Sequence, residues 1–344
     1  MITLSFRTLR LKKKVPLRIS RGTSTGSVNL FCIAEEQGVQ GIGECAPGTG
    51  FDETLAAEAE QSLSELAPVV TQLSINQVVD LANERQIDSA ALAALDIALW
   101  DLRARQAGLP LWKIFGLSKP SVPTSVTLGI SPPDYAKQRV PELLAETGAK
   151  ALKIKLGNPE GIEADQACYD AARAASEPFG VKLRVDANGG WNLKDALLMD
   201  QWLSQRDCDY VEQPLERGNE VELIHLHAHR KLPLYLDESI RTSRDVASFH
   251  DRCDGVNLKL MKTGGLTEAL RLVATARAHG LSTMIGCMGE SSIAIAAGCA
   301  IGALFDHIDL DSHLNLDPDP AEGLGWQDGI VVPSDMPGHG CWLK

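Results

Sequence analysis

Apolar and polar positions alternate along residues 1–45, as in VNLFCIAEEQGVQGIGE, with glycines punctuating the run. A period of two sends successive side chains to opposite faces of a strand, so this stretch predicts a small antiparallel sheet with a turn near Gln37-Gly38. The period changes over 53–106. ETLAAEAEQSLSELAPVV and DSAALAALDIALWDLRARQAG are rich in Ala and Leu at helical spacing, and the second closes at Gly108 ahead of Pro110. An α+β unit is expected over 1–118.

Over 119–312 short β-rich runs alternate with helical patterns: VPTSVTLG, ALKIKLG, KLRVDANGG, YVEQPLE, LYLDES, GVNLKLM, STMIGCMGE and HIDLDS. They carry Lys155, Asp186, Glu212, Asp237, Lys259, Met284 and Asp309, and from Asp186 onward the repeat is about 25 residues, the period of a β/α unit. Eight runs fit one closed barrel. A doubly wound open sheet is the alternative, but no Gly-rich phosphate fingerprint follows the first strand. The turn-rich tail, 313–344, is expected to return to the N-terminal unit. The fold class is therefore α/β: a modified (β/α)8 barrel with an N-terminal α+β capping domain completed by the C-terminal segment.

Composition narrows the function. The chain has 344 residues, 44% hydrophobic and 23% charged, with a formal net charge of −12. That balance argues against a nucleic-acid partner, which calls for a basic face. No apolar run is long enough for a membrane span, and the N-terminus lacks the apolar core of a secretory signal. The eight cysteines are scattered, without a C-x-x-C pair, so neither a disulfide framework nor a cysteine zinc site is expected. A cytoplasmic protein is expected, with a homo-oligomer left open. Three histidines in HLHAH (225–229) fall in a predicted helix, where alternate positions point apart, and are not read as metal ligands.

In a β/α barrel the active site lies at the C-terminal ends of the strands. The third, fourth and fifth barrel strands end in Asp186, Glu212 and Asp237. Three converging carboxylates repel one another unless a cation joins them, and an all-oxygen set suits Mg²⁺. Lys153 and Lys155 share one face of the second strand, and Lys259 lies on the sixth, across the mouth. A neighbouring ammonium and a metal ion each lower a lysine's pKa, which suits Lys155 to act as a base. Lys262 is close to Lys259 in sequence, and the alternative to a functional Lys259 is that one of the two is a surface residue. Cys287, on the seventh strand, is expected to line the barrel.

This arrangement resembles the muconate-lactonizing subgroup of the enolase superfamily. The matching motifs are Lys153-x-Lys155, Asp186 in DANGGW, Glu212 in EQPL, Asp237 in DES and Lys259 in NLKLMKTGG. GIGECAP and ALDIALWDLRARQAGLPLWKIFG look like that subgroup's cap. The resemblance implies Mg²⁺ held by Asp186, Glu212 and Asp237. It implies Lys155 and Lys259 as bases on opposite faces, Lys153 tuning Lys155, and Asn188 and Glu238 supporting the metal. The implied chemistry is abstraction of a proton α to a carboxylate, through an enediolate. A lysine on each face permits return of the proton from the other side, inverting the stereocentre.

Asp309 and Asp311 form a D-x-D at the eighth strand, which in the subgroup's dipeptide epimerases binds the substrate's N-terminal amine. The resemblance thus implies epimerisation of a small-molecule dipeptide at its C-terminal residue. RISRGTSTG (18–26) reads as a Gly/Ser/Thr-rich loop between strands of the cap; the resemblance implies that it closes over the site and supplies specificity, with Arg21 implied to bind a side-chain carboxylate of the second residue, as in L-Ala-D/L-Glu. Asp52, in PGTGFDET, and Glu290, in CMGESS, are candidate specificity residues that would favour a basic one instead. Other activities of the subgroup remain alternatives: o-succinylbenzoate synthase, N-acylamino acid racemase, cycloisomerase, or epimerisation of basic or hydrophobic dipeptides. A Schiff-base aldolase barrel and a non-catalytic binding barrel are the alternatives from other classes.

Overall fold

The alternating N-terminal stretch forms an antiparallel sheet of β1 (Thr3–Ile19), β2 (Gly22–Glu36) and β3 (Val39–Cys45) in a computed structural model that describes residues 1–344. Gln37 and Gly38 make the β2–β3 turn with φ of 55° and 78°, the geometry whose twist matches that of paired strands. Helices α1 (Thr54–Val70), α2 (Ile75–Glu84) and α3 (Ser89–Gln106) follow. Ser74 and Gln77 form a capping box at the start of α2, and the Asp88 carboxylate accepts from the first amides of α3. α3 is buried on nearly every side because it lies between this sheet and the barrel. Gly43 of β3 permits that packing: a Cβ there would stand 2.0 Å from the Ala94 carbonyl oxygen.

Each of the eight β-rich runs after residue 120 contains or overlaps a barrel strand: β4 (Ser125–Leu128), β5 (Ala151–Lys155), β6 (Lys182–Asp186), β7 (Cys208–Glu212), β8 (Leu234–Leu236), β9 (Gly255–Lys259), β10 (Ser282–Gly286) and β11 (His307–Asp309). They are parallel and adjacent in chain order, and a bridge between Thr124 and Ile308 closes the ring. The Leu310 amide donates to Thr124 Oγ1 at 2.7 Å across the same seam. Alternation then divides the side chains. Leu152, Ile154, Val185, Val211, Leu236, Val256, Leu258 and Ile285 join the main apolar core outside the ring. Lys153, Arg184, Tyr210, Tyr235, Asn257 and His307 are turned inward beneath the strand ends that carry the acids and lysines.

Residues beyond β11 return to the cap. Gly338 O accepts from the Leu111 amide at 2.7 Å, and Cys341 O accepts from Arg105 at 2.8 Å. Buried Asp101 of α3 accepts from the amides of Ile42 and His339, at 2.9 and 2.8 Å, and so ties β3, α3 and the tail together. No helix is long and apolar enough to cross a membrane.

The expected loop over 18–26 is instead the end of a hairpin. Leu17, Arg18 and Ile19 pair with Ser24, Thr23 and Gly22, leaving only Ser20 and Arg21 in the turn. Strand pairing wins over the Gly/Ser/Thr composition because β1 and β2 resume pairing at Leu17, after a break in register, and continue to the tip. The tip reaches the barrel, where Ser20 Oγ and Arg21 each donate to the Asn188 carbonyl at 2.9 Å.

Candidate active site

β6 and β7 end in Asp186 and Glu212, and Asp237 follows β8 directly. One oxygen from each lies within 4.8 Å of the others, and all three side chains are buried. Burial and the charge of Asp186 push Glu212 up to about 7. Burial works against Asp186 and Asp237 too, but Lys155 and Lys153 beside the first, and Lys259 and Lys262 beside the second, hold both below the ordinary carboxylate range. Three hard anionic oxygens drawn this close fit a divalent cation.

The surroundings aim these carboxylates. Asn257 Nδ2 donates to Glu212 Oε1 at 2.6 Å, and Lys153 Nζ to Oε2 at 2.6 Å. The Asn188 amide donates to Asp186 Oδ1 at 2.8 Å, while its side chain bridges Asp186 and Glu238 at 3.1 Å each. Gln213 Oε1 accepts from the Asp237 amide at 2.8 Å. Asn188 and Gln213 have φ of 44° and 35°, an uncommon conformation for residues with a Cβ and one concentrated at functional sites.

Lys155 and Lys259 flank the acids from β5 and β9, the second and sixth of the eight strands and therefore on opposite sides of the ring. Lys155 Nζ lies 2.5 Å from Asp186 and Lys259 Nζ 2.7 Å from Asp237. Lys153 is fully buried, and its ammonium bridges Glu212 and Asp309. Burial acts to lower Lys153 and Lys259. The facing carboxylates outweigh it and raise both above the ordinary value, Asp309 and Glu212 acting on Lys153 and Asp237 on Lys259.

Neither Lys259 nor Lys262 is a surface residue. Lys262 is buried and donates to the Asp237 carboxylate and to the carbonyls of Asp237, Ile240 and Asn257. Gly286 of β10 leaves room for Lys259: a Cβ there would stand 3.1 Å from its Cε and 2.9 Å from Asn257 Nδ2.

A cavity of about 510 Å³ opens above Lys155 and Lys259 and also takes in Asp309, Asp311 and Cys287. Asp309 is paired with Lys153, whereas Asp311 has no cationic partner, and burial together with the Asp309 charge pushes Asp311 up to about 6. Arg21 lines a second cavity, of about 580 Å³, on the cap side, and forms an ion pair with Glu238 at 2.7 Å. Asp52 is exposed and accepts from the Thr54 amide and hydroxyl at 2.9 and 2.7 Å, outside the residues lining either cavity. Glu290 is buried, accepts from the Met288 amide at 3.1 Å, and is pushed up to about 8 by burial; it too lines neither cavity.

Sequence reading passed over Asn257 and Glu44. Asn257 had a signal, since it stands two residues before Lys259 and so shares its inward face. The buried Glu44 carboxylate accepts from Asn29, from the Ser291 amide and hydroxyl and from the Ala294 amide, fastening the cap to the loop after β10. A carboxylate within an apolar strand was the available clue, but its partner is 247 residues away.

Comparison with known proteins places this arrangement among others of its kind. Residues 1–116 match the family Mandelate racemase / muconate lactonizing enzyme, N-terminal domain, and residues 136–344 match Enolase C-terminal domain-like. The hydrophobic dipeptide epimerase of Roseobacter litoralis is 56% identical over 341 residues, covering 99% of both chains. That of a Flavobacteria bacterium is 50% identical, covering 99% of this chain and 98% of its own. The crystal structure of the dipeptide epimerase from Enterococcus faecalis, complexed with Mg and L-Leu-L-Tyr, superposes with a TM-score of 0.91 at 32% identity, covering 99% of each chain.

Proposed function

The chain belongs to the mandelate racemase and muconate lactonizing enzyme family of the enolase superfamily, and on that premise we propose that it is an isomerase that epimerises dipeptides at the α-carbon of the C-terminal residue. The observation that carries the reading is the placement of Lys155 and Lys259 on opposite sides of the buried Asp186, Glu212 and Asp237 cluster. Asp186, Glu212 and Asp237 would hold Mg²⁺, which when bound offsets the negative charge that develops on the substrate carboxylate as the α-proton leaves.

One lysine removes that proton and the other, already protonated, returns one to the opposite face. Lys153 stays charged between Glu212 and Asp309 and so links the carboxylate end of the site to its amine end. Asp311, free of any cationic partner, receives the substrate's α-ammonium. That favours a free-amine dipeptide over N-acyl substrates, which have no cation to offer.

An apolar second residue is favoured by two relatives, at 56% and 50% identity, that are hydrophobic dipeptide epimerases. The engagement of Arg21 with Glu238 agrees with it. L-Ala-L-Glu is the reference substrate, because Arg21 remains about half exposed at the hairpin tip, with a side-chain accessibility of 55%. The test is exchange in D₂O with Mg²⁺: the C-terminal α-proton of a free-amine dipeptide should be replaced by deuterium, and EDTA should stop it. Lys155→Ala and Lys259→Ala should each abolish epimerisation. Exchange that survives chelation would remove the metal from the reaction.

A further inference from the structure

We propose that Lys13, carried by the cap, is a specificity residue at the amine end of the site and makes the enzyme discriminate by the charge of the dipeptide's first side chain, acidic before neutral before basic. The inference rests on the dipeptide reading above and adds the first residue to it.

The pairing of β1 with β2 breaks between Lys12 and Leu17. The released residues 13–16 are fastened to the segment that follows the Asp309–Asp311 pair. Lys13 bridges Leu316 through its backbone, and the Val15 amide and carbonyl bond the Asn315 side chain at 2.9 and 2.8 Å. This attachment turns the Lys13 side chain to the wall of the cavity that holds Lys155, Lys259, Asp309 and Asp311. Its Nζ donates to Ser24 Oγ at 3.1 Å and makes no ion pair. The titratable groups deeper in the same cavity include Lys155, Lys259, Cys287, Asp309 and Asp311.

An ammonium has three donors, and here a single neutral hydroxyl uses one of them. The two that remain face a cavity where burial works against the charge, so an anion arriving there gains and a second cation is repelled. Lys13 bonds Ser24 and forms no ion pair with Asp311, so Asp311 stays available for the substrate's amine. The side chain of the first residue leaves the carbon that bears this amine, and is therefore presented to the same wall. Lys14 and Arg18 continue the wall outward, also without ion pairs, so its charge on the cap side is uniformly positive. Val15, Leu17, Leu128 and Ile130 supply apolar surface that a neutral side chain can use.

The experiment measures kcat/KM for L-Glu-L-Leu, L-Ala-L-Leu and L-Lys-L-Leu with the wild type, Lys13→Met and Lys13→Arg. The wild type should favour Glu-Leu over Lys-Leu by about tenfold or more, the size expected of one partly buried charge. Lys13→Met should bring the three within about threefold of one another, and Lys13→Arg should keep the wild-type order. A Lys13→Met enzyme slowed by one common factor on all three overturns the proposal, as does a wild type indifferent to first-residue charge, a result that needs no variant to fold. A wild type that epimerises none of the three sinks the dipeptide reading and this inference together. Activity without charge preference sinks this inference alone.

Discussion

Replacing Gly286 by alanine tests whether the two lysines act on separate faces. The new Cβ would stand 3.1 Å from Lys259 Cε and 2.9–3.0 Å from the Asn257 amide group, with nothing placed near Lys155. The Lys259 stem must give way by a few tenths of an ångström, and the Asn257 amide, held at 2.6 Å to Glu212, must shift a little as well. Overpacking of this kind costs about 1–3 kcal/mol. Taken from the transition state on the Lys259 face alone, that is a loss of about 5- to 150-fold. The assay follows α-proton exchange in D₂O from each epimer of one dipeptide separately. The epimer whose α-hydrogen faces Lys259 should wash out slowly, and the epimer that faces Lys155 should exchange at close to the wild-type rate. Equal losses for both epimers, with Mg²⁺ affinity retained, would refute the assignment of one lysine to each face.

Other expectations concern pH and stability. Asp311 is pushed up to about 6, so its carboxyl is protonated below that value and offers an ionised partner to an ammonium only above it. kcat/KM for a free-amine dipeptide should therefore fall as pH drops through 6, and Asp311→Asn, weaker throughout, should lose that limb. A limb unchanged in the variant would assign it to another group. Glu44→Ala removes the acceptor shared by Asn29, Ser291 and Ala294. The loss should be about 3 kcal/mol, the upper end of what leaving buried donors without a partner costs. Urea unfolding measures it, and a midpoint unchanged from wild type would show that the cap does not depend on this contact.

The period of about 25 residues and the placement of Asp186, Glu212, Asp237, Lys155 and Lys259 at strand ends were legible in the chain, because a charged side chain closing an apolar strand is conspicuous locally. The Gln37-Gly38 turn was legible for the same reason: its chemistry is complete within two residues. The hairpin at 18–26 was misread, since composition there favours a loop and only the pairing of β1 with β2 decides otherwise. The burial of Lys262 depends on carbonyls and a carboxylate from Asp237, Ile240 and Asn257, brought together by two strand ends.

What the sequence by itself determined is therefore the set of chemical groups and the barrel that orders them, both written in local periodicity. Tertiary structure alone decided their placement: Arg21 with Glu238, Lys153 between Glu212 and Asp309, Glu44 under Ser291, and Lys13 on the wall of the cavity that holds Asp311. Each of these joins segments far apart in the chain. Charge and hydrogen bonding act over a few ångströms of space, whatever the separation in sequence.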